Sequence, residues 1–323
     1  MRVAVIPTGE MELGGLAPAL ERLFPAHEFI TIPKIPGRPG ERAKPFDQSN
    51  TSRVSSEASK EGLKSDRRRL VEALAGAVYP SDRRDAADLA LVLDDLELVN
   101  LDQPHVVVDS IRNSVRAHLD QQRARLSDHD VRDLKQCLRD RASFHLAAPM
   151  PESWLFADPN GPVNSGVRAE ESIRLKQGID PEQFETDDPA YSSDDGAKCS
   201  QLLDRNRRRG EDRRPPWVIK PNEKYPWCTR ERHPKAYLQW LCRDPAENTC
   251  TRWQESRQGV EALRKLDWQA ALAEPAWCTW LRALVEDLAD GLGEPTPVPG
   301  VAGTTCPLTA RKHKDQSAVL RNL

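Results

Sequence analysis

The stretch that most limits how this chain can fold is Asp88 to Asn100, DLALVLDDLELVN. Leu89-Ala90-Leu91-Val92-Leu93 is a continuous apolar run without charge, the form of a strand buried on both faces. It stops abruptly at Asp94-Asp95-Leu96-Glu97. In an open α/β sheet, ligands gather just beyond the carboxyl ends of the strands. Three carboxylates in one such turn repel one another unless a proton or a cation relieves them. Hard oxygen donors of this kind suit Mg²⁺ or Mn²⁺. A solvated acidic turn would carry the same letters, so the remainder of the chain has to decide.

The remainder supplies the partners of a parallel sheet. Arg2 to Ile6 is a β-branched strand turned by Pro7-Thr8-Gly9. From Leu13, the positions Leu16, Ala17, Leu20, Leu23 and Phe24 repeat at helical spacing up to Pro25, and Glu28 to Ile32 reads as a second strand. Strand, helix, strand at this length is a βαβ unit with a right-handed crossover. Residues 33–57 form a loop of unusual length for a compact domain, rich in Pro, Gly, Ser and basic residues. Helices are expected at Ser59 to Val78, from Pro104 onward and at Val131 to Arg141, followed by a strand at Phe144 to Ala148 and a short helix from Pro151 to Asp158. If the strands lie parallel, three acidic strand ends meet on one edge: Glu10 or Glu12, then Asp94, Asp95 and Glu97, then Glu152.

Beyond residue 158 the chain changes character. Residues 159–232 form an irregular insertion with clustered charges and few aliphatics. Residues 233–293 are a helical C-terminal segment containing His233 to Leu241 and a helix over Trp277 to Leu288 that Gly291 is expected to stop. Residues 294–323 read as a disordered tail.

Composition narrows the functional classes. A net charge of −3 over 323 residues gives no global attraction to nucleic acid or anionic membrane, so any such contact must be local. The apolar runs are too short to span a bilayer. Met1 to Ile6 lacks an export signal, and the odd number of cysteines, 7, shows no disulfide framework, so the expectation is a cytoplasmic protein with reduced thiols.

Weaker signals resolve toward structure. Cys228, His233, Cys242 and Cys250 are ligands of zinc type, but their spacing matches no standard finger; Zn²⁺ is not the favoured reading, and buried free thiols are expected. His145, between Phe144 and Leu146, reads as a core histidine, and Trp154 as a core indole. Arg205, Arg207 to Arg209 and Arg213-Arg214 are interleaved with acids, which favours a solvated loop over a phosphate track. Gly9, Gly14 and Gly15 form neither a dinucleotide fingerprint nor a Walker loop.

The ordered set VIPTGEMEL, VLDDLEL, MPESWLFAD and HPKAYLQWL resembles a bacterial Toprim-like family of unknown function. That family is related to RloB-like proteins and to overcoming-lysogenization-defect nucleases. The resemblance spans residues 1–158 and the HPK helix. It implies a Toprim-like parallel sheet flanked by helices and a Mg²⁺- or Mn²⁺-dependent endonuclease acting on DNA or RNA in anti-phage defence. It also implies an ABC/SMC-type ATPase as partner. Asp94, Asp95 and Glu97 would then hold the metal, with Glu10, Glu12 and Glu152 as catalytic carboxylates. Thr8 stands where the family pattern places a glutamate before the glycine, so a hydrolase would need Glu10 or Glu12 in its stead. The alternative is a non-catalytic subunit that binds or senses for the ATPase.

Overall fold

The computed structural model describes residues 1–37, 41–55, 65–80, 85–193, 224–243, 253–298 and 318–323. Four strands, β1 (Arg2–Pro7), β2 (Glu28–Thr31), β3 (Leu89–Asp95) and β4 (Ala142–Ala147), form an all-parallel sheet in the order β2-β1-β3-β4. β3 is central and buried along its whole length, as its unbroken apolar run requires. In register, Val5 pairs with Leu91, and Leu93 pairs with His145.

Side chains alternate along the strands and feed two cores. Val3, Val5, Leu89, Leu91 and Leu93 face one layer; Ala4, Ile6, Ala90, Val92, Phe144 and Leu146 face the other. Helices α2 (Ser65–Val78), α3 (Pro104–Gln122) and α4 (Asp128–Arg141) cover the second face. The first face is covered by α1 (Glu10–Leu23) together with α6 (Pro234–Leu241), α7 (Val260–Lys265) and α8 (Thr279–Leu292). The short α5 (Glu152–Leu155) follows β4. The C-terminal helical segment is therefore one half of the sheet's covering: Tyr237, Leu263 and Leu284 share a core with Val3 and Leu91.

Several element ends shift by a few residues from the sequence reading, and two differences bear on packing. α8 runs through Gly291 and ends at Gly293, which has φ +71°. Gly291 instead allows close packing, because a Cβ there would lie 2.7 Å from Leu89 Cδ1 and 2.9 Å from Arg321 Cζ and would push those side-chain ends aside. The end of the expected disordered tail is also packed. Residues 318–323 are buried against the edge strand β4, where Arg321 N donates to Ala142 O at 2.7 Å. The Asn322 side chain accepts from Phe144 N (3.1 Å) and donates to Phe144 O (2.7 Å), completing the bonds that an edge strand leaves open. The rest of that tail beyond residue 298 lies outside the described residues, as do the start of the helix expected from Ser59, Cys250 and the arginines from 205 to 214.

Candidate active site

The carboxyl ends of β1, β3 and β4 open on one edge of the sheet. The turn after β1 carries Thr8 and Gly9 into α1. Glu12, in the first turn of that helix, bends back over Gly9, where any Cβ would collide with the Glu12 carboxylate. Glu12 is 1% exposed, Asp95 5% and Glu152, at the start of α5, 2%. Glu12, Asp95 and Glu152 are thus brought together from three strand ends: Asp95 feels the charges of Glu12 and Glu152, and Glu12 that of Glu152. Glu10 is at the margin: it contributes its backbone N–H, which donates to Glu255 Oε1 at 3.2 Å.

Asp94 and Asp95, adjacent in sequence, have different environments. Asp94 Oδ1 accepts from Thr8 Oγ1 (2.8 Å) and from Asp95 N (3.1 Å). Its Oδ2 accepts from the hydroxyl and backbone N–H of Ser49 and from Asn50 Nδ2. Both oxygens of Asp94 are therefore engaged: Oδ2 fastens Ser49 and Asn50 to the strand end, and Oδ1 is held by Thr8 and the Asp95 backbone. Asp95 Oδ2 accepts from Gln48 Nε2, whereas Asp95 Oδ1 has no hydrogen-bond partner among the described residues. Glu12 Oε1 is likewise buried without one. The long loop after β2 thus forms a wall of the site. Asn100 holds it there, accepting from Val54 N and donating to Asn50 O.

Glu97 has φ +62° and ψ 148°, a backbone region almost confined to glycine. Hydrogen bonds from Leu96 N to Ala147 O and from Glu97 N to Pro149 O hold it in this conformation. In this conformation its carboxylate lies within the electrostatic reach of Glu152 and Asp94.

Two further residues complete the cluster. Lys235, in the first turn of α6, lies with Nζ 3.5 Å from Glu152 Oε1 and pairs with Glu255 Oε2. Glu255 opens a single π turn, Glu255–Gly259, a deformation that recurs at functional sites. Sequence reasoning picked out the HPK helix without giving Lys235 a role, and it missed Glu255 altogether. Pro234 at the helix start was the available signal for Lys235. Glu255 had none, because only the tertiary fold brings it beside Glu10.

The charge balance is unfavourable to four ionised acids. Burial, reinforced by Glu255, pushes the Glu12 carboxyl up to about 8. Burial raises Glu97 to about 7, with Lys235 opposing and Glu152 adding to the rise. Burial and then the Glu12 charge hold Asp95 well above the ordinary carboxylate range. Glu152 is raised by burial against the pull of Lys235. In Glu255 burial would raise the carboxyl, but the charge and hydrogen bond of Lys235, with backbone bonds from Met11 and Glu10, together lower it. One ammonium thus faces several buried carboxyls. Two of these acids, Glu12 and Asp95, present unpaired oxygens, which is the donor chemistry a divalent cation takes. Among the described residues no three His, Cys, Asp or Glu side chains already stand in metal-ligand geometry, so a cation would have to draw the carboxylates closer.

The zinc-type residues are placed differently. His233 caps α6, its Nδ1 accepting from Ala236 N at 3.2 Å, and burial lowers its pKa to about 3. Cys228 and Cys242 are buried free thiols, and Cys242 Sγ donates to Ser165 O at 3.6 Å. His145 is a core residue, with Nε2 3.1 Å from Asp287 Oδ2. Trp154 is fully buried and donates to Glu182 Oε1. Among the described residues no helix is long and apolar enough to cross a membrane. No protein-family model, curated protein or solved structure matches this chain.

Proposed function

We propose that this protein is a Toprim-like, divalent-metal-dependent hydrolase of nucleic-acid phosphodiesters. The observation that carries the reading is the pair of orphaned buried oxygens, Glu12 Oε1 and Asp95 Oδ1, at the ends of adjacent parallel strands. The sheet order and the resemblance of the four motifs support it. Glu12 and Asp95 would hold Mg²⁺ or Mn²⁺, with Glu152 beside them; Asp94 acts on the loop and fixes the strand end. When bound, the cation supplies charge neutralisation for the scissile phosphate and a more acidic water. Lys235, anchored by Glu255, offers its ammonium to a phosphate oxygen. Glu97, with a pKa of about 7, can take a proton from water near neutral pH. Glu12 answers the substitution of Thr8, since its carboxylate returns to the Gly9 turn. Anti-phage defence and an ABC/SMC-type ATPase partner follow from the resemblance and form part of the proposal.

The test is cleavage of plasmid, single-stranded DNA and RNA in Mg²⁺, Mn²⁺ or chelator, for wild type, Asp95→Asn and Glu12→Gln. Metal-dependent cleavage lost in both variants is expected. A second reading, the non-catalytic subunit of an ATPase complex, is favoured by one observation: Asp94 is fully occupied and the remaining acids are not converged in ligand geometry. No cleavage, with a Mn²⁺-induced melting shift of equal size in wild type and Asp95→Asn, would favour that reading.

A further inference from the structure

A second feature is built onto the turn that carries Glu97. Trp227 Nε1 donates to Leu98 O at 3.0 Å, and Arg53 Nη1 donates to Val99 O at 2.8 Å. These are backbone carbonyls of the two residues immediately after Glu97. Asp102 fixes the Arg53 guanidinium through two bonds of 2.7 Å. Arg53 Cζ lies 4.9 Å from the Tyr225 ring centre and 5.9 Å from that of Trp227, and the two rings are 6.0 Å apart. Tyr225 and Trp227 are only half-buried, and the exposed Lys224 places Nζ 5.4 Å from the Tyr225 ring.

Among the described residues Tyr79, Trp277 and Trp280 are also half-buried, but only the pair Tyr225 and Trp227 flanks a guanidinium pinned by a carboxylate. Trp154, Trp253, Tyr191 and Tyr237 are all fully buried. Trp227 also lines an open cavity of about 340 Å³, with Leu101 and Ile179 as apolar walls and Asp102, Glu182, Gln183 and Arg232 as polar ones. Such a volume lies in the range of small-ligand sites. Its chemistry is that of a base site: a flat π surface, aliphatic sides, and donors and acceptors at the rim. Every base has a π face, so stacking of this kind needs no particular sequence.

We infer that the Tyr225–Arg53–Trp227 cluster and its cavity bind an unpaired nucleobase of a single-stranded nucleic acid whose backbone crosses the acidic strand ends. The inference rests on the nucleic-acid reading of the neighbouring site and adds the substrate class: single-stranded or locally unpaired DNA or RNA. Arg53, neutralised by Asp102, stiffens the platform, and Lys224 faces solvent at its edge for the backbone phosphate. Because Trp227 and Arg53 bond to the turn itself, a base seated there has a fixed position relative to Glu97.

The test separates binding from cleavage. Fluorescence anisotropy in chelator, with a labelled mixed-sequence single strand, reads the platform without any metal. Wild type is expected to bind the single strand, with duplex of the same sequence a weak competitor. Trp227→Ala should weaken binding about tenfold or more, and Trp227→Phe should restore most of it. Circular dichroism verifies folding, and a 5-iodouracil strand cross-linked to wild type should attach at Trp227 or Tyr225. The cross-link decides the matter if Trp227→Ala does not fold. Unchanged affinity in a folded Trp227→Ala, equal competition by duplex, absence of binding, or cross-links confined to other residues would each overturn the inference. Trp227-dependent binding without cleavage in Mg²⁺ or Mn²⁺ would sink the hydrolase and leave the platform standing. Cleavage with binding indifferent to Trp227 would do the reverse.

Discussion

Two buried acidic regions of this protein face opposite electrostatic situations. At the β4 edge, Asp287 lies 3.1 Å from His145 Nε2 through Oδ2 and 3.1 Å from Arg321 Nε through Oδ1. Although burial alone would raise it, those partners hold its carboxyl below the ordinary range. At the strand ends, Glu12, Asp95 and Glu152 share one ammonium, and all three are held above it. Burial is equally complete in both places. What differs is whether the fold brings a cation to each acid. The first region is an ion-paired network that fastens the C-terminal residues to the sheet, although Asp287 Oδ1 is in ion-pair range of Arg321 without a hydrogen bond. The second is left with more buried acids than cations, so its carboxyls keep their protons to higher pH, a perturbation that clusters at functional sites.

The comparison breaks most visibly in activity. Glu12→Gln or Asp95→Asn should reduce metal-dependent cleavage by at least about 10²-fold, while Asp287→Asn should leave the rate per folded molecule near that of wild type. Single-turnover assays on a labelled strand measure all three. Equal losses in the three variants would mean that the strand-end acids are structural too.

Stability should respond in the opposite sense. Asp287→Ala takes its carboxylate from His145 and leaves Arg321 paired with Asp290, and should cost roughly 3–5 kcal/mol, the usual effect of removing one member of a buried ion pair. Glu12→Gln removes a repelled acid and should stabilise, by roughly 1–3 kcal/mol near pH 8. Urea denaturation of both variants decides. A destabilised Glu12→Gln would show that Glu12 has a partner the strand-end picture lacks.

The pH dependence sharpens the same contrast. Glu12 retains its proton in the folded state up to about pH 8, against 4.5 as its ordinary value. Its favourable contribution is therefore present below about 4.5 and is lost as the pH rises toward 8. Asp287, with a depressed pKa, contributes above the ordinary carboxylate range, and this is lost as the pH falls through its folded value. The advantage of Glu12→Gln over wild type should thus widen from pH 5 to pH 8, and the deficit of Asp287→Ala should shrink on acidification. Added Mn²⁺ should reverse the first trend and release protons on binding, which calorimetry in buffers of different ionisation heat detects.

Which of these regions was legible in the sequence follows from how local each is. The apolar run Leu89 to Leu93 determines a two-faced buried strand by itself, and the acidic residues after it are contiguous. Glu12 and Glu152 were reachable because parallel strands put their loops on one edge. Lys235 was visible only as part of a helix start. Glu255 and the Asp287–Arg321 pairing were not, since contacts between separate segments, 245 residues apart for Glu10 and Glu255 and 34 for Asp287 and Arg321, leave no periodic trace. The difference between Asp94 and Asp95 was equally hidden. It depends on Ser49 and Asn50, in a loop whose sequence shows only that it is long.

The smallest expected effect concerns Glu97, where the unpaired cluster meets strained backbone. A residue with a Cβ at φ +62° and ψ 148° carries about 1–3 kcal/mol of strain that glycine largely avoids. Replacing Glu97 also removes a carboxyl that burial has raised, so Glu97→Gly alone would mix two gains. Glu97→Ala removes the same charge but keeps the Cβ. Glycine adds flexibility to the unfolded chain, which costs roughly 0.5–1 kcal/mol relative to alanine. The difference between the two variants is therefore the strain less this entropy, and Glu97→Gly should be about 1 kcal/mol more stable than Glu97→Ala. Neither should retain full cleavage, because the carboxylate that the strained turn presents is gone. Alanine equal to or better than glycine in paired urea titrations would mean that the turn stores no strain. Full activity in both variants would mean that the strain serves the loop path and not the chemistry.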